Sequence, residues 1–582
     1  MPSRRLKGLF GISLALSIPL AQAAQIPTFV DQPHFISSFH PLENDDKLWD
    51  IKILPNVNAT GHLVFETVNS LLQHWPNTRY RNGGCVDLFV SLVGPNLLKI
   101  FCTFYPGHNI VPGTVSPGTV LYHGRGDSGV PEQPEWLATD PEHASMFCRP
   151  RSEDSGCWML MVTPIRPLHI LYFDGSSAAK MPDGAMDSQD IFTFGRVAPD
   201  KYWDERGRIN ALCKRFKGLG VDGFVRMEMD FEIMLCDFAD GVEVEALNLR
   251  ASPGGRRGPP PGGPGRIPDR PDTSYAPFDG PPQPLYPENS TFNSPFAPKT
   301  GNAVGEAFIS GAWHNFYPGD TRIKLDLTRL VSLYDTSLVP SLVQERFGKP
   351  RIEHRLLGIS DEDLNAVVGK VEELSASRGA VSSDAGGGSE IDWGTLIRLV
   401  VKRFSDRLET IQYLLNSTAE TGGPARQEQK KEDVARALQA RLQTMLQPYL
   451  LNDIKPPTEV DADKSLEWVS PLYERCSTTY TSYITSTPSL YARLTPSETL
   501  ILGGVEETTR EICRVVVGMW GDGVMTGLDP KSYVPSGGQS TTTPTEDELN
   551  ELLESWIIRI DTLMKWLDWI FGFVFLAFSK NF

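Results

Sequence analysis

Between Ala251 and Arg270, twelve of twenty residues are glycine or proline, a density that neither a helix interior nor a central strand tolerates. Pro-rich polar sequence continues beyond it, so residues 251–306 read as a linker and folding must occur on either side. The two sides differ in texture. Before the linker, apolar runs of strand length alternate with a few helical periods; after it, apolar residues recur at helical spacing. The expected architecture is an α+β domain over residues 24–250 and an all-α domain over 307–535. Residues 536–582 follow as a Ser/Thr-rich stretch and a last helix.

The compartment is read from the N-terminus and the cysteines. Arg4, Arg5 and Lys7 precede an apolar run from Leu9 to Leu20, and Ala21-Gln22-Ala23 is a small-x-small cleavage site. Residues 1–23 therefore read as a secretory signal peptide, and a secreted or cell-surface protein is expected. Removing those three basic residues takes the formal charge from −17 to −20, which makes nucleic acid an unfavourable partner. Eight cysteines fit an oxidising compartment. Six precede residue 240 and two follow the linker, so bridges are expected to stay on their own side. Neighbour pairing gives Cys85–Cys102, Cys148–Cys157, Cys213–Cys236 and Cys476–Cys513, although six cysteines allow about fifteen connectivities. None has Cys-x-x-Cys spacing, and no metal is expected. Asn58, Asn289 and Asn416 lie in glycosylation sequons.

Within the first half, Val64 to Trp75 reads as a helix, with Val64, Val68, Leu71 and Leu72 on one face. Strands are expected at Val86–Val93, Leu97–Phe104, Trp158–Val162, Leu168–Phe173, Gly223–Met227 and Glu232–Asp237, and a helix at Arg206–Lys217. In the second half, Trp393, Leu396, Val400, Phe404, Leu408, Ile411 and Leu415 keep helical period. So do Val434, Leu438, Leu442, Met445 and Tyr449, and Glu506–Trp520 supplies a third helix. The tail opens with a capping box, Thr545-x-x-Glu548, and carries a seam from Leu549 through Trp556 and Leu567 to Val574. Its apolar end is too short to span a bilayer, so residues 549–578 are expected either to pack on another helix or to lie shallowly in a membrane surface.

The chemistry concentrates in Gly118–Cys148 and Met229–Leu235. A strand from Thr119 to Tyr122 ends in His123-Gly124. A second, Trp136 to Thr139, runs into Asp140-Pro141, which caps a helix. Later, Asp230-Phe231-Glu232 opens an aliphatic strand. This succession resembles the three signature motifs of the ADP-ribosyltransferase fold: Tyr-Arg/His-Gly, an aromatic-x-Ser/Thr strand entering a helix, and a late Glu-x-Glu strand. The resemblance implies NAD as substrate, with Glu232 stabilising the oxocarbenium-like cation as the ribose–nicotinamide bond breaks. It implies that His123, with Tyr122 and Gly124, orients NAD and that Thr139 braces the site. Asp230 replaces the family's first glutamate, so acceptor transfer is in doubt and NAD hydrolysis is left open. The overall layout also resembles uncharacterised two-domain secreted proteins of filamentous fungi. The alternative is a non-catalytic secreted or cell-surface interaction protein, a disulfide-stapled head on a spacer and a helical body. Convergence of His123, Thr139 and Glu232 in one pocket separates the two.

Overall fold

Leu121, Leu137, Phe231 and Ile233 alternate with Tyr122, Ala138 and Glu232 along three strands, and that alternation sorts the whole sheet into two buried faces. The structure is a computed structural model, and it describes residues 49–56, 58–73, 84–86, 101–103, 107–148, 156–180, 184–228, 230–249, 310–315, 317–376, 388–416, 424–457, 466–528 and 544–569. The signal peptide, the linker up to residue 306, Asn289, the 536–543 stretch and residues 570–578 lie outside them. Asn58 and Asn416 are exposed.

Helix α1 (Gly61–Asn69) comes first, followed by a small antiparallel ribbon of β1 (Gly84–Val86) and β2 (Phe101–Thr103), in which Cys85 stands opposite Cys102. The main sheet then uses β3 (Asn109–Val115), β4 (Leu121–Arg125) and β5 (Glu135–Ala138), with the one-turn α2 (Pro141–Ser145) after β5. It continues with β6 (Cys157–Pro164), β7 (Leu168–Phe173), helices α3 (Asp187–Thr193) and α4 (Glu205–Phe216), β8 (Gly223–Met227), β9 (Phe231–Leu235) and β10 (Val242–Leu249). Two short strands from beyond the linker, β11 (Ile323–Leu325) and β12 (Val331–Ser332), both pair with β3. The strand order is β10-β6-β4-β5-β9-β8-β7-β3-β11, with every described pairing antiparallel except β7 with β8. The second half is therefore helical but contributes edge strands too. Three residues are too few for a period-2 signal, which is why β11 and β12 do not show in the sequence.

One face of the sheet, including Val111, Leu121, Leu137, Val225 and Ile233, packs against the helical half. After the linker come α5 (Asp361–Ala376), α6 (Trp393–Asn416), α7 (Pro424–Leu446), α8 (Ser470–Thr478), α9 (Pro496–Met525) and α10 (Glu546–Leu567), and of these α6 to α10 pack on that face. The other face, with Leu171, Phe173, Phe224 and Met234, is covered by α3, α4 and the Val367–Val371 side of α5. Glu498 ties the helices together: it is fully buried, closes a capping box with Thr495, and accepts from the Trp393 indole at 3.1 Å and the Ser389 amide at 3.1 Å. Disulfides join Cys148–Cys157, Cys213–Cys236 and Cys476–Cys513, the neighbour pairing for these six.

The described part of the tail seam packs within the chain. Leu549, Leu553, Trp556, Ile560, Leu563 and Leu567 of α10 are buried against α6 and α9. No helix among the described residues is long and apolar enough to cross a membrane. Trp556 has no exposure, so Trp556→Ala is expected to cost about 3–5 kcal/mol by denaturant unfolding. An unchanged midpoint would show that α10 is not part of the cooperative core.

Candidate functional site

The three motif strands are immediate neighbours. Tyr122 on β4 stands opposite Ala138 on β5, and Ala138 stands opposite Glu232 on β9. Directly paired residues of antiparallel strands share a face, so Tyr122, Ala138 and Glu232 form a row on the α4 side. Gly124 is on that side as well. A Cβ there would run into the carbonyl of Ala144, so the glycine lets α2 lie close against β4.

Alternation sends His123 to the opposite face. Its Nδ1 lies 2.7 Å from the Trp136 carbonyl, to which it donates, and its ring tilts against Phe238. Burial lowers its pKa, so the ring is a neutral, hydrogen-bonded part of the body-side packing. Thr139 is buried and turned elsewhere again: its hydroxyl is 3.2 Å from Asp230 Oδ1 and 3.1 Å from the Phe231 carbonyl. His123, Thr139 and Glu232 thus sit on neighbouring strands without their side chains meeting. One-residue alternation, which a motif match ignores, separates them.

What surrounds Glu232 is a buried ionic cluster. Arg226, opposite it on β8 and fully buried, donates through Nε to Glu232 Oε1 at 2.9 Å and through Nη2 to the same oxygen. The guanidinium also reaches Glu205 Oε2 at 2.5 Å and Gln189 Oε1 at 3.1 Å. Glu205 opens α4 and Gln189 lies in α3, so the two helices are fastened to the sheet by one side chain. Burial alone would raise Glu205, but the charge and hydrogen bonds of Arg226 outweigh it and hold its pKa at about 2. Nearby, Lys180 pairs with Glu228 at 2.8 Å. Burial pushes the Glu228 carboxyl up against that attraction. His143 on α2 is buried, and burial lowers its pKa, while Glu232 and Lys180 act on it electrostatically. Its Nδ1 has no hydrogen-bond partner among the described residues. Arg208 Nε also lies 3.5 Å from Glu205 Oε1, so Glu205, Glu228 and Glu232 face three cations, Arg226, Lys180 and Arg208.

A second cluster gathers around Thr139. Asp140, Asp230 and Asp320 surround His314 and Arg322, with Asp140 Oδ2 3.0 Å from His314 Nε2 and 3.2 Å from Arg322 Nη2. Burial opposes the charge of Asp140, yet hydrogen bonds from His314 and Arg322 hold it well below its ordinary value. Burial, and then the charge of Asp140, push Asp230 well up.

Of the residues that matter here, Arg226 was readable: a lone cation inside Gly223–Met227, otherwise an apolar strand, needs a buried partner. Glu205, His143, His314 and Arg322 carry no such signal, because their neighbours are brought by tertiary folding.

Residues 159–252 match the family model described as the YPL277C N-terminal domain. The span runs from β6 through β10 and includes Glu205, Arg226 and Glu232. The chain is similar to the uncharacterized protein YOR389W of Saccharomyces cerevisiae, with 30% identity over 188 residues, 24% of this chain and 30% of that protein. It is also similar to the uncharacterized protein YPL277C of the same yeast, with 30% identity over 189 residues, 24% of this chain and 38% of that protein. The chain thus covers well under two thirds of either relative's length. No solved structure matches it.

The Glu205–Arg226 pair makes the fold acid-sensitive. Because the folded-state pKa of Glu205 is depressed from 4.5 to about 2, its stabilisation is complete above pH 4.5 and is lost as pH falls toward 2. Unfolding free energy measured across that window is expected to drop less steeply in Glu205→Gln than in the parent, and parallel curves would contradict the pairing.

Proposed function

We propose that the sheet region cleaves the nicotinamide–ribose bond of NAD, as a glycohydrolase or an ADP-ribosyltransferase, with Glu232 as the carboxylate that stabilises the cation. The observation that carries this reading is the row Tyr122–Ala138–Glu232 across β4, β5 and β9, which sets the three resemblance motifs side by side. The chemistry is consistent with it. All the hydrogen bonds to Glu232 reach one oxygen, Oε1, so Arg226 fixes the carboxylate while Oε2 takes none from the described residues. His143, rather than His123, supplies the imidazole on this face, and its unpaired Nδ1 suits a carboxamide or ribose hydroxyl. His123 then acts as a positioning residue, holding β4 to β5 through Trp136.

A second reading, a non-catalytic secreted or cell-surface interaction protein, is favoured by the separation of His123, Thr139 and Glu232, which do not converge in one pocket, and by the ion pair: an Arg226–Glu232 bridge is also how a sheet anchors its helices.

Nicotinamide release from millimolar NAD separates the two. The parent protein is expected to turn NAD over, and Glu232→Gln, which keeps an acceptor for Arg226, to lose about a hundredfold or more while remaining folded by circular dichroism. A parent protein that releases no nicotinamide would leave the interaction reading, and a fully active Glu232→Gln would remove Glu232 from the chemistry.

A further inference from the structure

Asp140, Asp230 and His314 come from three separate parts of the chain and converge beneath the start of β9. Asp230 and His314 have no exposure, and the Asp140 side chain is 13% exposed. His314 Nε2 lies 3.0 Å from Asp140 Oδ2 and 3.5 Å from Asp230 Oδ1, and one donor atom from each residue falls within 4.8 Å of the other two. Such spacings are those of neighbouring ligands around an ion with bonds of about 2.1 Å.

Two further observations point to a cation. The first is the setting of the imidazole. Behind the ring, Nδ1 faces Asp320 Oδ2 at 3.6 Å, beyond hydrogen-bond distance, and is buried without a hydrogen-bond partner among the described residues, while Nε2 is turned toward the other two acids. Trp313 packs on the same ring with centroids 3.7 Å apart. The second is the unmet bonding. Asp230 Oδ2 is buried and takes no hydrogen bond from an N–H or hydroxyl donor of the described residues, so it faces only the neighbouring carboxyl of Asp140, with which Asp230 can share a proton. At the same time Nε2 is approached by a donor, Arg322 Nη2 at 3.1 Å, and by an acceptor, Asp140 Oδ2 at 3.0 Å. One nitrogen cannot satisfy both, since it carries either a proton or a lone pair.

We propose that Asp140, Asp230 and His314 form a binding site for a divalent transition-metal ion of the zinc or manganese class. Two carboxylate oxygens and one imidazole nitrogen suit either ion. Thr139, whose hydroxyl meets Asp230 Oδ1, orients that ligand. Arg322 Nη2 lies 3.1 Å from Nε2 and 3.2 Å from Asp140 Oδ2, so the ion takes the place of the guanidinium beside those two atoms, while Arg322 keeps its bonds to Asp320 and the Thr139 carbonyl. The ion joins the end of β5, the start of β9 and the segment leading into β11. The absence of Cys-x-x-Cys spacing does not bear on such a site, because its donors are assembled by the fold.

The test uses the full untagged chain, stripped with a chelator, reloaded separately with zinc or manganese salt, and desalted. Elemental mass spectrometry is expected to find about one equivalent of at least one of the two metals, accompanied by a rise in melting temperature. Asp230→Asn and His314→Gln are each expected to lose both the metal and the rise. A parent protein that retains neither metal would overturn the proposal, whether or not the variants fold, and so would retention undiminished in both variants. The readout is independent of NAD turnover.

Discussion

A full positive charge with no exposure is the most demanding group in this sheet. Arg226 is placed in the middle of an apolar strand, and removing it from water is tolerable only because Glu205, Glu232 and Gln189 surround it. Each partner belongs to a different element: α4, β9 and α3. The guanidinium therefore fixes where both helices cross the sheet, and it fixes the carboxylate that the proposed chemistry uses. Arg208, also without exposure, repeats the arrangement one layer out through a 2.6 Å bond to Asp190. The region matched by the family model, residues 159–252, contains this entire network.

The Asp140–Asp230–His314 group is the counterpart at the start of β9. It lies where the chain returns from residues 310–322 to add β11 and β12 to the edge of the sheet. The two halves of the sequence are consequently bound through more than apolar contact. Thr139 links the clusters, since it follows directly on Ala138, the residue opposite Glu232, and its hydroxyl meets Asp230.

Much of the architecture was legible because its signals are local. The seven-residue seam of α6, the capping box of α10, and strands such as Leu168–Phe173 all rest on periodicity or on a cap, and they appear where those signals lie, whereas α9 begins at Pro496, ten residues before the expected Glu506. The candidate site was only partly legible. The motif points to Glu232 without its buried partner Arg226, and it does not register that His123 faces the other side of the sheet. Leu121, Leu137 and Ile233 are core residues of one face, and counting from Leu121 puts His123 with them. Gly124 reads equally as a ligand-facing glycine or as room for a helix, and only the position of Ala144 decides. His314 and Arg322 stand near a Pro-rich stretch, where nothing local announces a buried role.

The central claim is that Arg226 and Glu232 act as one unit. A double-mutant cycle tests it most directly, with unfolding free energies for the parent, Arg226→Met, Glu232→Gln and the double variant. Arg226→Met alone is expected to cost about 3–5 kcal/mol, because it leaves Glu205 and Glu232 as buried charges without their partner. Adding Glu232→Gln is expected to cost less than the sum of the single changes, by a coupling of about 1–3 kcal/mol. Strict additivity would contradict the account and leave Glu232 independent of the side chain placed opposite it.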